Sequence, residues 1–340
     1  METNEMKLQK MIIRSLKIGI GTCGSILVAT LLGLDYAASA GTIALLTILT
    51  TKWETLHLSL YRMLSFVISV IVGGILFVHI EQVWIAFGIF MFVLTFVCEL
   101  FNWRAALSVN AVIGMHFLIS RDFSGASILN EFLLLMIGVT AAIVLNLMNG
   151  NKAHRNRITQ NMRETEHDLK IVLKELSLYL NKQEMQRDVW EDLQKLEEKL
   201  LHYISEAQIY QGNTFQSHPE YYIDYFRMRR QQCFILQNLH QELQKIREMP
   251  VQAHIISEYT MYLSEYVTER NVPKKQIEAL EQIFEYMKEQ PLPMYRKEFE
   301  SRAMLYHILM DLEDFLLFKT KFIEALSDKQ KECYWNQQAE

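Results

Sequence analysis

Long apolar runs separated by short polar segments fill the first 150 residues, and the pattern then changes. Over Ile18–Leu147 charged residues are scarce, and beyond this range they occur every few positions. A change in composition this abrupt marks a domain boundary, which we place near Asn149–Asn151. The pattern therefore predicts an apolar domain over residues 1–150 and a polar domain over residues 151–340.

Six apolar runs of the first domain are candidates for membrane-spanning helices. A helix needs about 20 mostly apolar residues to cross the hydrocarbon core of a bilayer. The runs are Leu16–Leu34, Tyr36–Thr51, Met63–Ile80, Val83–Phe101, Ala105–Ser120 and Ile128–Met148. The second and fifth runs are short and rich in small or polar residues, so we expect neighbouring helices to shield them from lipid.

The distribution of positive charge supports six spans with both termini in the cytoplasm. With that topology the outside segments carry one cation, Arg121, against ten in the inside segments. The ten are Lys7, Lys10, Arg14, Lys17, Lys52, Arg62, Arg104, Lys152, Arg155 and Arg157. This excess follows the positive-inside rule, and removing one weak span would destroy it. Cleavage of a signal peptide near Ala38–Ala40 is disfavoured, because the preceding apolar run is long and more spans follow.

The second domain has the spacing of amphipathic helices throughout. Apolar residues recur at intervals of three and four, as at Leu169, Leu173, Leu176 and Leu180. Prolines mark the helix boundaries, and one helix is predicted to follow Pro273. We therefore predict an all-α protein, with a six-helix transmembrane domain followed by a cytoplasmic bundle of five or six helices. The aromatic-rich segment 221–230 is either a partner surface or core packing with arginine–aromatic stacking at its rim.

Several functional classes are disfavoured by what the sequence lacks. The net charge of -5 comes mostly from the second domain and argues against a nucleic-acid partner. The four cysteines, Cys23, Cys98, Cys233 and Cys333, lack the spacing of a zinc site or a disulfide framework. No Walker A loop, H-E-x-x-H or G-x-S-x-G motif occurs. We therefore expect no enzymatic activity, no catalytic residues, no cofactor and no metal.

Polar side chains at membrane depth are the candidates for function, because each costs free energy unless it is paired or hydrated. Arg104 lies at the inner end of the fourth and fifth runs, and Asn110 and His116 lie within the fifth. Glu131 opens the sixth run from the outside and is the candidate for coupling transport to a proton. Two interpretations of His116 stay open, a hydrogen-bonded packing role and a binding role.

A short polar segment between the second and third runs, Thr50–Thr55, is the densest polar feature of the first domain. It is predicted to be a loop, in which Lys52 and Glu54 are too close in sequence to face each other across a helix turn. Trp53 is a natural interfacial anchor. The loop is either a hydrated inner turn or the cytoplasmic mouth of a pathway.

Cations near the inner ends of the runs also have two interpretations. Arg14, Lys17 and Arg62 could extend their long side chains to the lipid headgroups. Together with Lys52 and Arg104 they could instead ring the inner side and draw anions into a pathway.

Motifs of the first domain resemble the aromatic acid exporter family. They are Lys17–Gly21 (KIGIG), Ala38–Gly41 (ASAG), Thr51–Leu56 (TKWETL) and Asn130–Leu135 (NEFLLL), followed by Gly138 and Asn146–Met148. The resemblance is to the six-span bacterial branch with a helical C-terminal extension, so by layout it also covers the second domain. Trp53 departs from the pattern of this branch, where a polar or basic residue is expected.

The resemblance implies export of aromatic carboxylates across a bacterial cell membrane. The layout is also similar to fusaric acid resistance-like transporters and to plant malate channels, in which six spans precede a cytoplasmic helical domain and the molecule works as a dimer. By this analogy we expect a homodimer or higher homo-oligomer. The expected partners are the lipid bilayer and a small organic anion.

Two functions of different class stay open at this point. The first is a transporter or channel for small organic anions, with Lys52, Glu54, Arg62, Arg104, Asn110, His116 and Glu131 as candidates for the substrate pathway. The second is a membrane-anchored regulatory or interaction protein, because more than half of the chain lies in the polar domain. A variant of the first makes the helical bundle a gate that senses a cytoplasmic ligand.

Overall fold

The described part of the chain is almost entirely helical. The computed structural model describes residues 4–48, 51–147 and 152–336, and 83% of the structure is helix. No strand occurs in the described ranges, which confirms the all-α prediction. The chain divides into a first unit, residues 1–150 with 212–214, and a second unit, residues 151–211 with 215–340. The predicted boundary at Asn149–Asn151 lies outside the described residues, as do the side chains of Lys7, Lys10 and Arg14.

The first unit contains six α-helices in its described ranges. They are α1 (Asn4–Leu31), α2 (Ala38–Ile48), α3 (Lys52–His79), α4 (Val83–Leu100), α5 (Leu107–Ser120) and α6 (Gly125–Leu147). A 3-10 turn, Arg104–Ala106, leads into α5. Four helices are long and apolar enough to cross a membrane, namely α1 from Met11 onward, α3, α4 and α6. The shorter apolar helices α2 and α5 correspond to the second and fifth predicted runs.

The third helix begins eleven residues before the predicted start at Met63. Thr51 caps it, because the Thr51 hydroxyl accepts a hydrogen bond from the Glu54 backbone and the Glu54 carboxylate accepts one from the Thr51 backbone. The prediction of a loop was therefore wrong from Lys52 onward, and Thr50 lies outside the described residues. The capping motif T-x-x-E was visible in the sequence. Because this cap starts α3 at Lys52, Arg62 lies within the helix rather than at its end.

The short helix α2 packs against α1 and α6, and six of its eleven residues are buried. Glycine permits the close approach of α6. A Cβ on Gly138 would lie 2.7 Å from Ile43 Cβ and 2.8 Å from the Ala40 carbonyl oxygen. The enclosure of α2 agrees with the expectation that its neighbours shield it.

The second unit is a helical bundle with its own apolar core. Its helices are α7 (Lys152–Leu180), α8 (Val189–Asn213), α9 (Glu220–Lys245), α10 (Ala253–Ser264), α11 (Lys274–Glu289), α12 (Arg296–Ala325) and α13 (Asp328–Lys331), followed by a π-helical turn, Glu332–Asn336. The predicted apolar positions on α7 are buried, and the helix after Pro273 begins at Lys274 as expected.

The aromatic-rich segment lies in the core of the second unit. Tyr221, Tyr222, Tyr225 and Phe226 are all buried. The structure thus favours core packing over a partner surface, but the expected position of the stacked arginine at the rim was wrong. Arg229 is 1% exposed and stacks over the Tyr225 ring, with its guanidinium carbon 5.1 Å from the ring centroid. Burial is possible because Arg229 also reaches a carboxylate on α7.

Candidate functional site

A polar face of α3 is buried inside the first unit. Its side chains recur at intervals of three and four residues, so they form one stripe on the helix. The stripe consists of Lys52, Thr55, Ser59, Arg62, Ser65 and Ser69. At 1.5 Å of rise per residue it extends over about 25 Å. Only Lys52 and Arg62 were predicted as pathway residues; the four hydroxyl residues were missed, although their helical spacing was visible.

The hydroxyl groups of this stripe hydrogen-bond to their own helix. Ser59 donates to the Thr55 carbonyl oxygen at 2.6 Å, and Ser69 donates to the Ser65 carbonyl oxygen at 2.9 Å. Such local bonds lower the cost of burying a hydroxyl group in an apolar environment. Because a hydroxyl proton can rotate, the same groups can instead donate to a ligand.

Arg62 is the central charged group of the stripe and is 1% exposed. Its guanidinium donates to the Thr47 hydroxyl on α2 and to the Leu46 carbonyl oxygen, while Nε has no hydrogen-bond partner. Among the described residues, no carboxylate forms an ion pair with it. Of the two interpretations of Arg62, extension to the lipid headgroups is therefore wrong, because α3 begins ten residues before Arg62 and α2 covers its side chain. A buried cation without a counter-ion costs several kcal/mol.

Asn110 on α5 approaches the same stretch of α3. Its amide nitrogen donates to Ser65 Oγ at 2.5 Å and to the Arg62 carbonyl oxygen at 3.4 Å. Its amide oxygen is buried and has no hydrogen-bond partner. Two neighbouring helices therefore each carry a polar atom whose bonding capacity is unused, at Asn110 Oδ1 and Arg62 Nε. Buried polar atoms of this kind are usually satisfied by water or a ligand.

Near the first turns of α3 a second set of contacts joins three helices. Lys17 Nζ on α1 donates to Asn146 Oδ1 on α6 at 2.9 Å. The Asn146 amide nitrogen donates to Thr55 Oγ1 at 2.8 Å. Lys17 thus directs its ammonium group to a buried asparagine rather than to the headgroups. Lys17 and Lys52 also lie close enough for their positive charges to repel each other.

A separate buried pair joins α5 and α6. His116 Nδ1 lies 2.7 Å from the Glu131 carboxylate, and His116 Nε2 lies 2.9 Å from Ser39 Oγ. The Tyr36 ring stacks on the imidazole with 4.2 Å between centroids. Asn130 donates to the Glu131 carboxylate at 3.2 Å. His116 is therefore hydrogen-bonded at both ring nitrogens, and Tyr36 and Ser39 are contacts that the sequence analysis did not anticipate.

The remaining two predicted pathway residues lie at the surface of the unit. Glu54 caps α3 as described above, and Arg104 pairs with Glu99 through Nε at 2.7 Å from the carboxylate. The side chains of Arg104 and Glu99 are 72% and 45% exposed. The structure does not bring either predicted residue to the buried polar groups. Within the described ranges, no group of three or more His, Cys, Asp or Glu side chains is arranged to hold a metal ion.

Comparison with known proteins identifies the family to which the sequence is similar. Over residues 9–149 the chain matches the model of aromatic acid exporter family member 1, and over residues 155–320 it matches the model of the aromatic acid exporter C-terminal domain. It is 26% identical over 313 residues to the uncharacterized protein YqjA of Bacillus subtilis (strain 168), covering 91% of this chain and 95% of that protein.

A solved structure is also similar to part of the chain. It is the crystal structure of a membrane protein from Clostridium difficile 630, with 27% sequence identity and a TM-score of 0.43. The match covers 49% of this chain and 99% of that chain. The two family models together account for most of the sequence, and the chain belongs to the aromatic acid exporter family.

Proposed function

We propose that the protein is a membrane transporter that exports small organic carboxylates, with aromatic acids as the substrate class, along the polar face of α3. Family membership and the apolar helices indicate a membrane transporter. They do not favour the alternative of a membrane-anchored regulatory protein. Aromatic acids as substrates and export as the direction of transport are proposed in addition.

The observation that carries the proposal is Arg62, a fully buried guanidinium without a carboxylate partner among the described residues. A substrate carboxylate can supply the missing negative charge, and guanidinium groups bind carboxylates with paired hydrogen bonds. Asn110 provides further polar atoms beside it. Lys17 and Lys52 add positive charge near the start of α3, which would attract anions toward the same face.

The proposal retains six crossings, with both termini and the second unit in the cytoplasm. α2 is about 16 Å long and α5 about 21 Å long, which is less than the ~30 Å core of a bilayer. We propose that both helices complete their crossings while enclosed by longer neighbours. The excess of inside cations supports this topology.

A homodimer completes the proposed working unit. Between α1 and α6 lies a groove of about 510 Å³, and its lining includes the small residues Gly21, Gly24, Ser25 and Ala141 beside larger apolar ones. Small residues permit close packing between helices in a bilayer. The groove is therefore the surface at which we expect a second copy to pack.

Transport by the purified full-length protein in liposomes tests the function. Benzoate is loaded on one side, and its flux is measured with and without pH and voltage gradients. We expect Arg62→Gln to lower the flux by about a hundredfold, since removing one partner of a buried charge interaction costs roughly 3 kcal/mol. Arg104→Gln is the matched control and should keep the flux of the wild type, because Arg104 is exposed.

Two results contradict the proposal. One is that the wild type moves neither aromatic nor dicarboxylic acids under any gradient. The other is that Arg62→Gln, shown by size-exclusion chromatography to be folded, transports benzoate as fast as the wild type.

A further inference from the structure

The second unit contains a cavity that the proposed transport pathway does not use. Its volume is about 370 Å³, at the lower end of the ~300–1,000 Å³ typical of small-molecule sites. α7 forms one wall, and the first turn of α9 and the C-terminal π-helical turn contribute others. The segment between α10 and α11 adds Glu269. All of these elements belong to the second unit.

The wall on α7 carries two arginines. Arg155, Thr159 and Arg163 recur at intervals of four, so they lie on one face of the helix and line the cavity together. The two arginine positions are about 12 Å apart along the helix axis. In the part of the chain that the structure describes, neither guanidinium forms an ion pair with a carboxylate. Arg155 lies beside the Tyr222 hydroxyl.

The acidic residue of the cavity already has a partner. The Glu269 carboxylate accepts a hydrogen bond from the Tyr221 hydroxyl at 2.6 Å. Two arginines against one glutamate leave the cavity with a net positive charge. A negatively charged ligand is therefore favoured over a neutral or cationic one.

Buried aromatic and apolar side chains line another part of the cavity, beside the polar side chains of Asn156, Thr159 and Gln160 on α7. Met162, Tyr222 and Tyr334 are each less than a tenth exposed, and all three line the cavity. Tyr334 is held by stacking on Tyr221, with 4.2 Å between ring centroids, and its hydroxyl donates to the His218 carbonyl oxygen at 3.0 Å. Burial raises the pKa of the Tyr222 and Tyr334 phenols, so both are neutral at physiological pH. These rigid rings suit a flat hydrophobic group better than an inorganic anion.

We propose that this cavity binds a small aromatic carboxylate, with its charged group toward Arg155 or Arg163 and its ring against Tyr222, Tyr334 and Met162. The second unit would then sense the class of compound that the first unit exports. The sensing role rests on the proposed function, whereas the binding itself does not.

Cys333 lines the cavity and provides a native reporter of occupancy. It is a free, partly exposed thiol. The rate at which N-ethylmaleimide alkylates Cys333 in the full-length protein can be followed by peptide mass spectrometry. We expect benzoate at about ten times its Kd to slow this reaction about tenfold, because only the unoccupied fraction of the protein reacts. Benzyl alcohol lacks the charge and phosphate lacks the ring, so neither should protect the thiol.

A double variant, Arg155→Gln with Arg163→Gln, should lose the protection by benzoate. Arg227→Gln with Arg230→Gln is the matched control, because these arginines lie outside the cavity and pair with Asp224 and Glu197. The proposal is overturned if benzoate leaves the alkylation rate of the wild type unchanged, or if the folded double variant is still protected. The comparison of benzoate with benzyl alcohol in the wild type does not depend on either variant folding.

The outcome is separable from that of the transport assay. Protection of Cys333 without flux in liposomes would leave the binding site standing and refute the transport function. Flux without protection would support transport and refute the site in the second unit.

Discussion

His116 and Glu131 form a buried hydrogen-bonded pair, with 2.7 Å between His116 Nδ1 and the Glu131 carboxylate. The other ring nitrogen of His116 reaches Ser39, and Tyr36 covers the face of the imidazole. Asp35 lies nearby and exchanges hydrogen bonds with Asn130. Titratable groups within transmembrane segments are typical of proton pathways, so we propose this pair as the point at which a proton gradient would act on transport.

We predict that Glu131→Gln makes benzoate flux independent of the pH gradient. Glutamine keeps a hydrogen-bonding group beside His116 but cannot take up or release a proton. The measurement compares fluxes in liposomes with and without an imposed pH gradient. Glu81→Gln is the control, because Glu81 is an exposed carboxylate in the α3–α4 loop. If Glu131→Gln transports at the wild-type rate and keeps the gradient dependence, the pair has only a packing role.

Gly138→Ala should destabilise the first unit. The added Cβ would lie 2.8 Å from the backbone oxygen of Ala40, which cannot move without shifting α2. Overpacking of this kind costs about 1–3 kcal/mol. Gly19→Ala is the matched control on α1, where nothing lies within 4 Å of the new atom. Thermal unfolding in detergent should show a lower midpoint for Gly138→Ala alone; equal midpoints would contradict the close packing of α2 and α6.

Glu166→Gln should destabilise the second unit. The Glu166 carboxylate accepts hydrogen bonds from Arg229 at 3.3 Å and from the Tyr225 hydroxyl at 2.8 Å. Its loss leaves the buried Arg229 without a negative partner, which costs about 3 kcal/mol. Glu164→Gln, two residues earlier, removes an exposed ion pair with Lys199, keeps an oxygen that can accept from the Tyr203 hydroxyl, and should cost less than about 1 kcal/mol. Chemical denaturation monitored by circular dichroism measures the free energy of unfolding of both variants. Similar losses of stability in Glu166→Gln and Glu164→Gln would refute this ranking.

Asp311→Asn should stabilise the second unit at neutral pH. Burial, together with the negative charges of Glu242 and Asp314, raises the pKa of Asp311 from 3.8 to about 6. The folded state therefore holds this proton more tightly than the unfolded chain, and stability falls as the pH rises from about 4 to about 6.

Asparagine cannot ionise, so the variant escapes this loss. Its gain in the free energy of unfolding should stay below about 1 kcal/mol because solvent screens the partly exposed site. Unfolding midpoints measured at acidic and neutral pH provide the check. A gain that is larger at acidic than at neutral pH would contradict the assigned cause.

The amino-acid sequence by itself determined the helical class and the approximate positions of the apolar helices, because hydrophobic runs and periodicity are local properties of the chain. The sequence also contains two local signals of the buried polar face of α3. They are the T-x-x-E cap that starts the helix and the regular spacing of its hydroxyl residues. Both were visible without any tertiary information.

Only the tertiary structure decided what each polar group contacts. Arg62 is buried because α2 covers the middle of α3, and His116 meets Glu131 because α5 and α6 turn these faces toward each other. Periodicity predicts that a residue lies on a helix face, but the rotation of each helix against its neighbours selects the partner of that face. Arg104 and Arg62 illustrate this limit. The sequence predicts that both lie near helix ends, but in the structure Arg104 is exposed and Arg62 is enclosed.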